Sequence, residues 1–285
     1  MHNKIVGLFG KYGAAEVEAT LTQVKSLLSS YGAKVLLGDT TATEICGERI
    51  LHPEQYRELD YAIVVGGDGT LLHAARSLAP YDVPIVGINL GRLGFLTDIP
   101  ASEIESGIQA IQAGRFRIEQ RSMLETRVVK DPDNIQTYLS LNDAVIAKGD
   151  TGRLIDMSIQ VDGIFVSRTR SDGLIIATPT GSTAYALAAG GPIIEPTLPV
   201  HVLVPICPHT LSNRPIILNQ DSTITICDVQ LADSHATLAV DGIIVHTLDG
   251  SERIEITRAE PSLRLIRLDQ HSHFEALRVK LGWNS

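Results

Sequence analysis

A chain of 285 residues, 44% of them hydrophobic, has apolar mass for one large domain or two ordinary ones, which excludes a disordered protein. Its formal charge of −9 comes without any lysine- or arginine-rich block, which excludes a sequence-wide footprint for nucleic acid. Any anionic ligand must then be held locally, by single basic residues, backbone N–H groups or a metal.

In chain order, KIVGLF (4–9) reads as a buried strand, followed by a helix with Val17, Leu21, Val24 and Leu28 on one face and a stop at Gly32. KVLL (34–37), YAIVV (61–65) and PIVGIN (84–89) supply further strands. A helix near Ser102 carries a capping-box pattern, Ser102 with Glu105, then Ile104, Ile108 and Ile111, and ends at Gly114. Strands alternating with helices predict a doubly wound, mostly parallel α/β sheet over residues 1–118.

Beyond residue 118 the period changes to two. IQTYLSL, LIDMSIQV, IFVSRTR, GLIIAT, HVLVPI, STITI, HATLAV, GIIVHTL and RIEIT read as strands, and Asp-Gly pairs at 162–163, 241–242 and 249–250 read as hairpin turns. An all-β domain is expected over 119–266, with one helical insertion, and FEALRVKLGW within 267–285 reads as a helix packing back on the first domain. No low-complexity linker separates the halves, so a ligand cleft is expected between them. Cys46, Cys207 and Cys227, with no C-x-x-C pair, suit a reducing compartment rather than a disulfide framework. The apolar run in MHNKIVGLFGKYG is too short for a signal peptide and no stretch is long enough to span a bilayer, so a soluble, cytoplasmic protein without membrane contact is expected.

The most informative stretch is IVVGGDGTLLHAA (63–75), where a strand hands over to a helix through Gly66, Gly67, Asp68, Gly69 and Thr70. Glycines there let backbone approach a phosphate, and the following helix, expected from Thr70, turns its N–H groups toward the same point. The turn is neither a Walker A loop nor a G-x-G-x-x-G turn. Asp68 would repel a phosphate unless it holds a metal or takes a proton from the group that attacks the phosphate. As a lone residue it would be read as a helix cap.

The pentapeptide GGDGT resembles the signature of NAD kinases, diacylglycerol and sphingosine kinases and, more distantly, 6-phosphofructokinases. Farther on come NLGRLGFLT (89–97), LNDAVI (141–146), SDGLIIATPTGSTAYALAAGGPI (171–193) and CPHTLSNRPI (207–216). In this order the blocks resemble the NAD kinase family over nearly the whole span from 63 to about 245. The resemblance implies transfer of the γ-phosphoryl group of ATP to the adenosine ribose 2′-hydroxyl of NAD, giving NADP, with a divalent cation such as Mg²⁺ or Mn²⁺.

The resemblance makes Asp68 the general base and Gly66, Gly67, Gly69 and Thr70 the phosphate loop. It assigns NAD contacts to Asp68, Gly69, Asn142, Asp143, Arg153, Arg170 and Asp172, with Thr183, Ala184, Tyr185, Ala186, Leu187 and Ala188 as the adenine segment. Without it, Asn142 and Asp143 read as a polar bulge or Asx turn in a strand, Arg168 and Arg170 as a solvated strand face, and Thr183–Ala188 as tight helix packing. Lys148, Arg153, Arg168 and Arg170 form a local basic concentration, and family members commonly assemble as homodimers or homotetramers, which would let Arg153 and Arg170 serve a neighbouring subunit. Ile243 stands where many family members have a polar residue, so no contact is carried to it. The histidines show no ligand spacing beyond His271 and His273, and the cation is expected on nucleotide phosphates and water, so no metal ligands are assigned. Two other readings compete: a kinase acting on a lipid or sugar hydroxyl, and a dinucleotide sensor without catalysis.

Overall fold

The structure is a computed structural model describing residues 4–10, 15–38, 48–50, 52–91, 94–149, 153–210, 212–231, 235–268 and 272–283. Cys46, His271 and the Arg92-Leu93 part of NLGRLGFLT lie outside the described residues. The chain forms two compact units, Met1–Gln120 with Ser262–Ser285, and Arg121–Pro261.

The first unit runs β1 (Ile5–Gly10), α1 (Ala15–Ser30), β2 (Lys34–Leu37), β3 (Glu48–Arg49), β4 (Tyr61–Val65), α2 (Asp68–Leu78), β5 (Ile85–Asn89), β6 (Ile99–Pro100), α3 (Ile104–Gln112) and β7 (Arg117–Arg121). The apolar runs of β1, β4 and β5 are buried on both faces, as central parallel strands require. Val17, Leu21, Val24 and Leu28 of α1 join Ile104, Ile108 and Ile111 of α3 in one core against Val6, Leu8, Ile63 and Val86. Leu71 of α2 packs over Gly87 on the opposite face, where a Cβ would stand 2.8 Å from its Cδ1. The sheet is therefore covered on both sides, the expected doubly wound arrangement. The expected capping box does not form: α3 begins after Glu103 without a side-chain cap, because a 3-10 turn at Ala101–Glu103 absorbs Ser102.

The second unit contains β8 (Leu124–Asp131), β9 (Asn134–Ser140), β10 (Asp143–Lys148), β11 (Ile155–Val161), β12 (Ile164–Ser171), β13 (Gly173–Ala177), α4 (Tyr185–Ala188), β14 (Val200–Ile206), β15 (Ile216–Asn219), β16 (Ile224–Gln230), β17 (Ala236–Val240), β18 (Ile243–Leu248) and β19 (Arg253–Arg258). They make two six-stranded sheets, β15-β14-β13-β10-β17-β18 and β12-β11-β16-β19-β8-β9. Ile146, Leu174, Ile176 and Leu203 of the first meet Met157, Ile159, Ile226 and Ile254 of the second in a shared core. A further cluster on the other face of the first sheet, Val145, Ile175, Val202 and Val204, is covered by Ala186 and Ile194. Burial on both faces explains why β10, β13 and β14 read as continuous apolar runs.

Asp162-Gly163 and Asp241-Gly242 adopt positive φ throughout and close the tight β11–β12 and β17–β18 hairpins. Asp249-Gly250 does not make a hairpin. It carries the chain from β18 in one sheet to β19 in the other, and the Glu252 carboxylate accepts the N–H groups of Asp249 and Gly250 at 3.1 and 3.0 Å to hold that corner.

The chain then returns to the first unit. β20 (Leu263–Arg267) lies between β5 and β7, and α5 (His273–Leu281) follows, the helix expected at FEALRVKLGW. Ser272 caps α5 by accepting the Glu275 N–H, and Gly282, at φ 66°, ends it.

Candidate active site

In the first unit β1 lies between β2 and β4, so the chain leaves it toward both edges, and Gly10 at its end is in register with Val65. Parallel sheets bind ligands at the carboxyl end of such a reversal. The GGDGT turn starts there, one residue past Val65. The helix begins at Asp68, two residues earlier than expected, because the Gly67 carbonyl already accepts from Thr70 and Leu71 at 3.0 and 3.2 Å. The amides of Asp68 and Gly69 therefore stand at the mouth of α2. A Cβ on Gly66 would lie 2.6 Å from Thr70 Oγ1, whereas one on Gly67 or Gly69 would meet nothing within 4 Å. Gly66 is thus glycine for packing, while Gly67 and Gly69 expose backbone to an incoming group.

Asp68 does not cap its helix. Its Oδ2 accepts the Phe95 N–H at 3.0 Å and its Oδ1 the Leu96 N–H at 3.2 Å, while Lys280 Nζ on α5 stands 3.3 Å from Oδ2. The carboxylate is pinned across the turn by a loop that must approach closely, since a Cβ on Gly94 would collide with Asp68 Oδ1 and Thr97 Oγ1. That loop is held from behind by the buried Arg267, which donates to the Phe95 carbonyl at 3.0 Å and pairs with the buried Asp98. The Phe95 peptide thus accepts from Arg267 on one side and donates to Asp68 on the other. The arrangement presents a fixed, part-exposed anion beside open backbone N–H groups.

In the second unit three distant segments meet. Asp241, at φ 47°, accepts the N–H groups of Leu141 and Asn142 at 3.1 and 2.7 Å and closes the loop entering β10. Thr178 Oγ1 donates to the Leu141 carbonyl at 2.6 Å, and Gly181 lies so close that a Cβ would collide with the Asn142 carbonyl. Ser182 Oγ donates to the Pro179 carbonyl at 2.6 Å and accepts the Ile194 N–H at 3.0 Å, folding the loop over the sheet. Buried Arg121 donates to Thr180 Oγ1 at 3.1 Å. Asn142 and Asp143 are thereby brought against the turn at Thr180–Thr183 that leads into α4. Within Thr183–Ala188 only Ala186 is fully buried, as core packing; Tyr185 is exposed and Thr183, Ala184 and Leu187 are half-buried.

Asp143 is 4% exposed. Burial, with the Asp241 carboxylate adding to it, raises its carboxyl from 3.8 to about 7. It is therefore poised between donor and acceptor at neutral pH.

The remaining assigned residues stand apart. Asp143 is opposite Ala177 and Ala147 opposite Gly173, so Lys148 and Asp172 sit at the far end of β10 and β13, roughly 15 Å from Asp143. There Lys148 Nζ pairs with Asp172 Oδ1 at 2.6 Å. Arg168 pairs with Asp156 at 2.6 Å on β12 and β11, and Arg170, in register with Asp156, is exposed, as is Arg153 ahead of β11. Among the described residues no three histidine, cysteine or carboxylate side chains converge on a metal position, and both Asp68 oxygens already accept protein donors. Sequence reasoning passed over Lys280, Arg267 and Thr178, and read Asp241 only as a hairpin residue; their roles come from pairing across long chain separations, which no local pattern encodes.

Residues 15–116 match the ATP-NAD kinase N-terminal domain and residues 141–268 the ATP-NAD kinase C-terminal domain. The chain is 42% identical over 283 residues to an NAD kinase of Teredinibacter turnerae, covering 98% of this chain and 97% of that one. It is also 42% identical over 284 residues to an NAD kinase of Methylococcus capsulatus, covering 99% and 98%. Its fold is similar to a yeast NADH kinase complexed with NADH, TM-score 0.88 at 28% identity, covering 99% of this chain and 89% of that one. An Archaeoglobus fulgidus NAD kinase in complex with ATP gives 0.74 at 27%, covering 98% of each. With both domain models matched in order and relatives aligned end to end, this chain belongs to the ATP-NAD kinase family.

Proposed function

We propose that the chain transfers the γ-phosphoryl group of ATP to the adenosine ribose 2′-hydroxyl of NAD, forming NADP. The observation that carries this reading is Asp68, held by two backbone N–H groups with its carboxylate turned out of its own helix and beside the open amides of the GGDGT turn. The 2′-hydroxyl gives its proton to Asp68 as its oxygen bonds to the γ-phosphorus; the bond from that phosphorus to the β,γ-bridging oxygen breaks, and ADP leaves with the electron pair. A loose transition state asks little basicity of the carboxylate and much of its placement. Gly67, Gly69 and Thr70 serve the phosphates, while Gly66, its N–H bonded to the Ile88 carbonyl, shapes the turn behind them.

Asn142 and Asp143 hydrogen-bond the dinucleotide, and Thr183, Ala184, Tyr185, Leu187 and Ala188 flank its adenine, with Ala186 anchoring the segment in the core beneath. Arg153, Arg170 and Asp172 contact the dinucleotide, Arg153 and Arg170 from a neighbouring subunit of a homodimer or homotetramer. A divalent cation, Mg²⁺ or Mn²⁺, enters with the triphosphate and screens its charge. The setting is cytoplasmic: Cys207 and Cys227 are free thiols, and no helix among the described residues is long and apolar enough to cross a membrane. NADH is a second acceptor, favoured by the similarity to the NADH-bound yeast enzyme.

The test is purified protein with ATP, Mg²⁺ and either NAD or NADH, read by NADP(H) formation. Asp68→Asn is expected to lower turnover roughly 10²–10⁴-fold; unchanged turnover removes the assigned role. Light scattering after gel filtration checks the assembly.

A further inference from the structure

Phosphoryl transfer to a hydroxyl crowds a triphosphate against the carboxylate that takes the proton, so a site of this kind needs a cation at the carboxylate itself. The GGDGT turn carries none: its neighbours are apolar, and the lysine of a Walker loop is missing. We propose that Lys280, near the end of α5, is a second catalytic residue, an ammonium that bridges Asp68 and the phosphoryl group as it moves onto the acceptor. The inference rests on the reading of Asp68 as proton acceptor.

The geometry is local to the first unit. Lys280 Nζ is 3.3 Å from Asp68 Oδ2 and 4.4 Å from the centroid of the Phe95 ring. Among the described residues it is the only lysine or arginine in ion-pair contact with Asp68. Its other contact is an aromatic face rather than a second carboxylate, so it has one ion pair to share when a phosphate arrives. Both side chains are a little over a quarter exposed, 28% for Lys280 and 29% for Asp68, which leaves the pair open on one side.

The placement of Lys280 follows from α5. Ala276 and Leu277 are the buried residues of the helix, and Lys280, four and three positions on, follows them one turn further along, exposed at the edge of that side. Ser272 and Gly282 fix the two ends of the helix around it. A hydroxyl bonded to Asp68 brings the phosphorus it attacks next to the ammonium, where charge grows on the equatorial oxygens. Lys280 keeps its proton throughout, while the hydroxyl proton passes to Asp68.

Full-length Lys280→Gln, Lys280→Arg and Asp68→Asn, assayed with ATP, Mg²⁺ and NAD, separate the two claims. Lys280→Gln is expected to lower kcat roughly 10²-fold, the loss usual for one charge-stabilising donor, with KM for NAD moved less than about 3-fold. Lys280→Arg keeps the charge on a larger, planar group and is expected to fall between the parent and Lys280→Gln. A merely structural role for Lys280 would lower the melting temperature and would show no such split between kcat and KM. Normal kcat in Lys280→Gln with Asp68→Asn inactive overturns this inference alone, as does an arginine variant no better than the glutamine one. Full turnover in Asp68→Asn instead removes the reading of Asp68 on which the inference stands.

Discussion

Replacing Asp143 with Asn tests whether a carboxyl buried beside a second carboxylate strains the folded chain. The native group has its carboxyl raised from 3.8 to about 7 by burial and by Asp241. The sign follows: a raised acid binds more protons in the folded chain than in the unfolded one between those values. Its contribution is therefore intact below 3.8 and is lost as pH rises through about 7. At about 1.4 kcal/mol per pH unit the full loss approaches roughly 4 kcal/mol, of which about 2–3 kcal/mol falls between pH 5 and pH 8. Asn keeps the shape, remains neutral and removes that dependence. Thermal unfolding of parent and Asp143→Asn at the two pH values is the assay. The variant is expected to gain on the parent by roughly 5–10 °C more at the higher pH than at the lower. An equal difference at both would refute the claim that Asp143 ionises against the fold.

Two further outcomes are expected. His201 is fully buried in β14 with no partner for either ring nitrogen among the described residues, and burial, helped by Arg258, lowers it from 6.5 to about 4. The unfolded chain therefore takes up the proton first, and stability falls as pH drops from 6.5 toward 4. His201→Leu should remove about 2 kcal/mol of that loss at pH 5, measured by urea unfolding; parallel curves for parent and variant would contradict the assignment. Gly94→Ala forces a methyl into the Asp68 carboxylate and is expected to lower kcat at least about 10-fold, with a loss of roughly 1–3 kcal/mol in stability. Unimpaired kcat in that variant would show that the loop at Phe95 does not set the position of Asp68.

The parallel unit was legible because its rules are local. KVLL and YAIVV appear as strands over the residues read from their apolar runs, and Val17, Leu21, Val24 and Leu28 all enter the core their spacing predicts. The GGDGT turn was legible for the same reason, since glycines, an acid and a helix start are consecutive. The Ser102 capping pattern and the Asp249-Gly250 turn have other outcomes because a competing local arrangement wins at each: a 3-10 turn takes up Ser102, and the nearby Glu252 carboxylate holds Asp249-Gly250 in a corner between two sheets. Beyond local reach lay the partners of the charged groups. Asp143 is raised by burial and then by Asp241, 98 positions on, and Asp68 meets a lysine 212 positions away. Periodicity and turn chemistry act between near neighbours, so the sequence by itself determined the strands, helices and turn that bear the chemistry. Which charge faces which depends on desolvation and on approach between distant segments, and only the tertiary structure decided that.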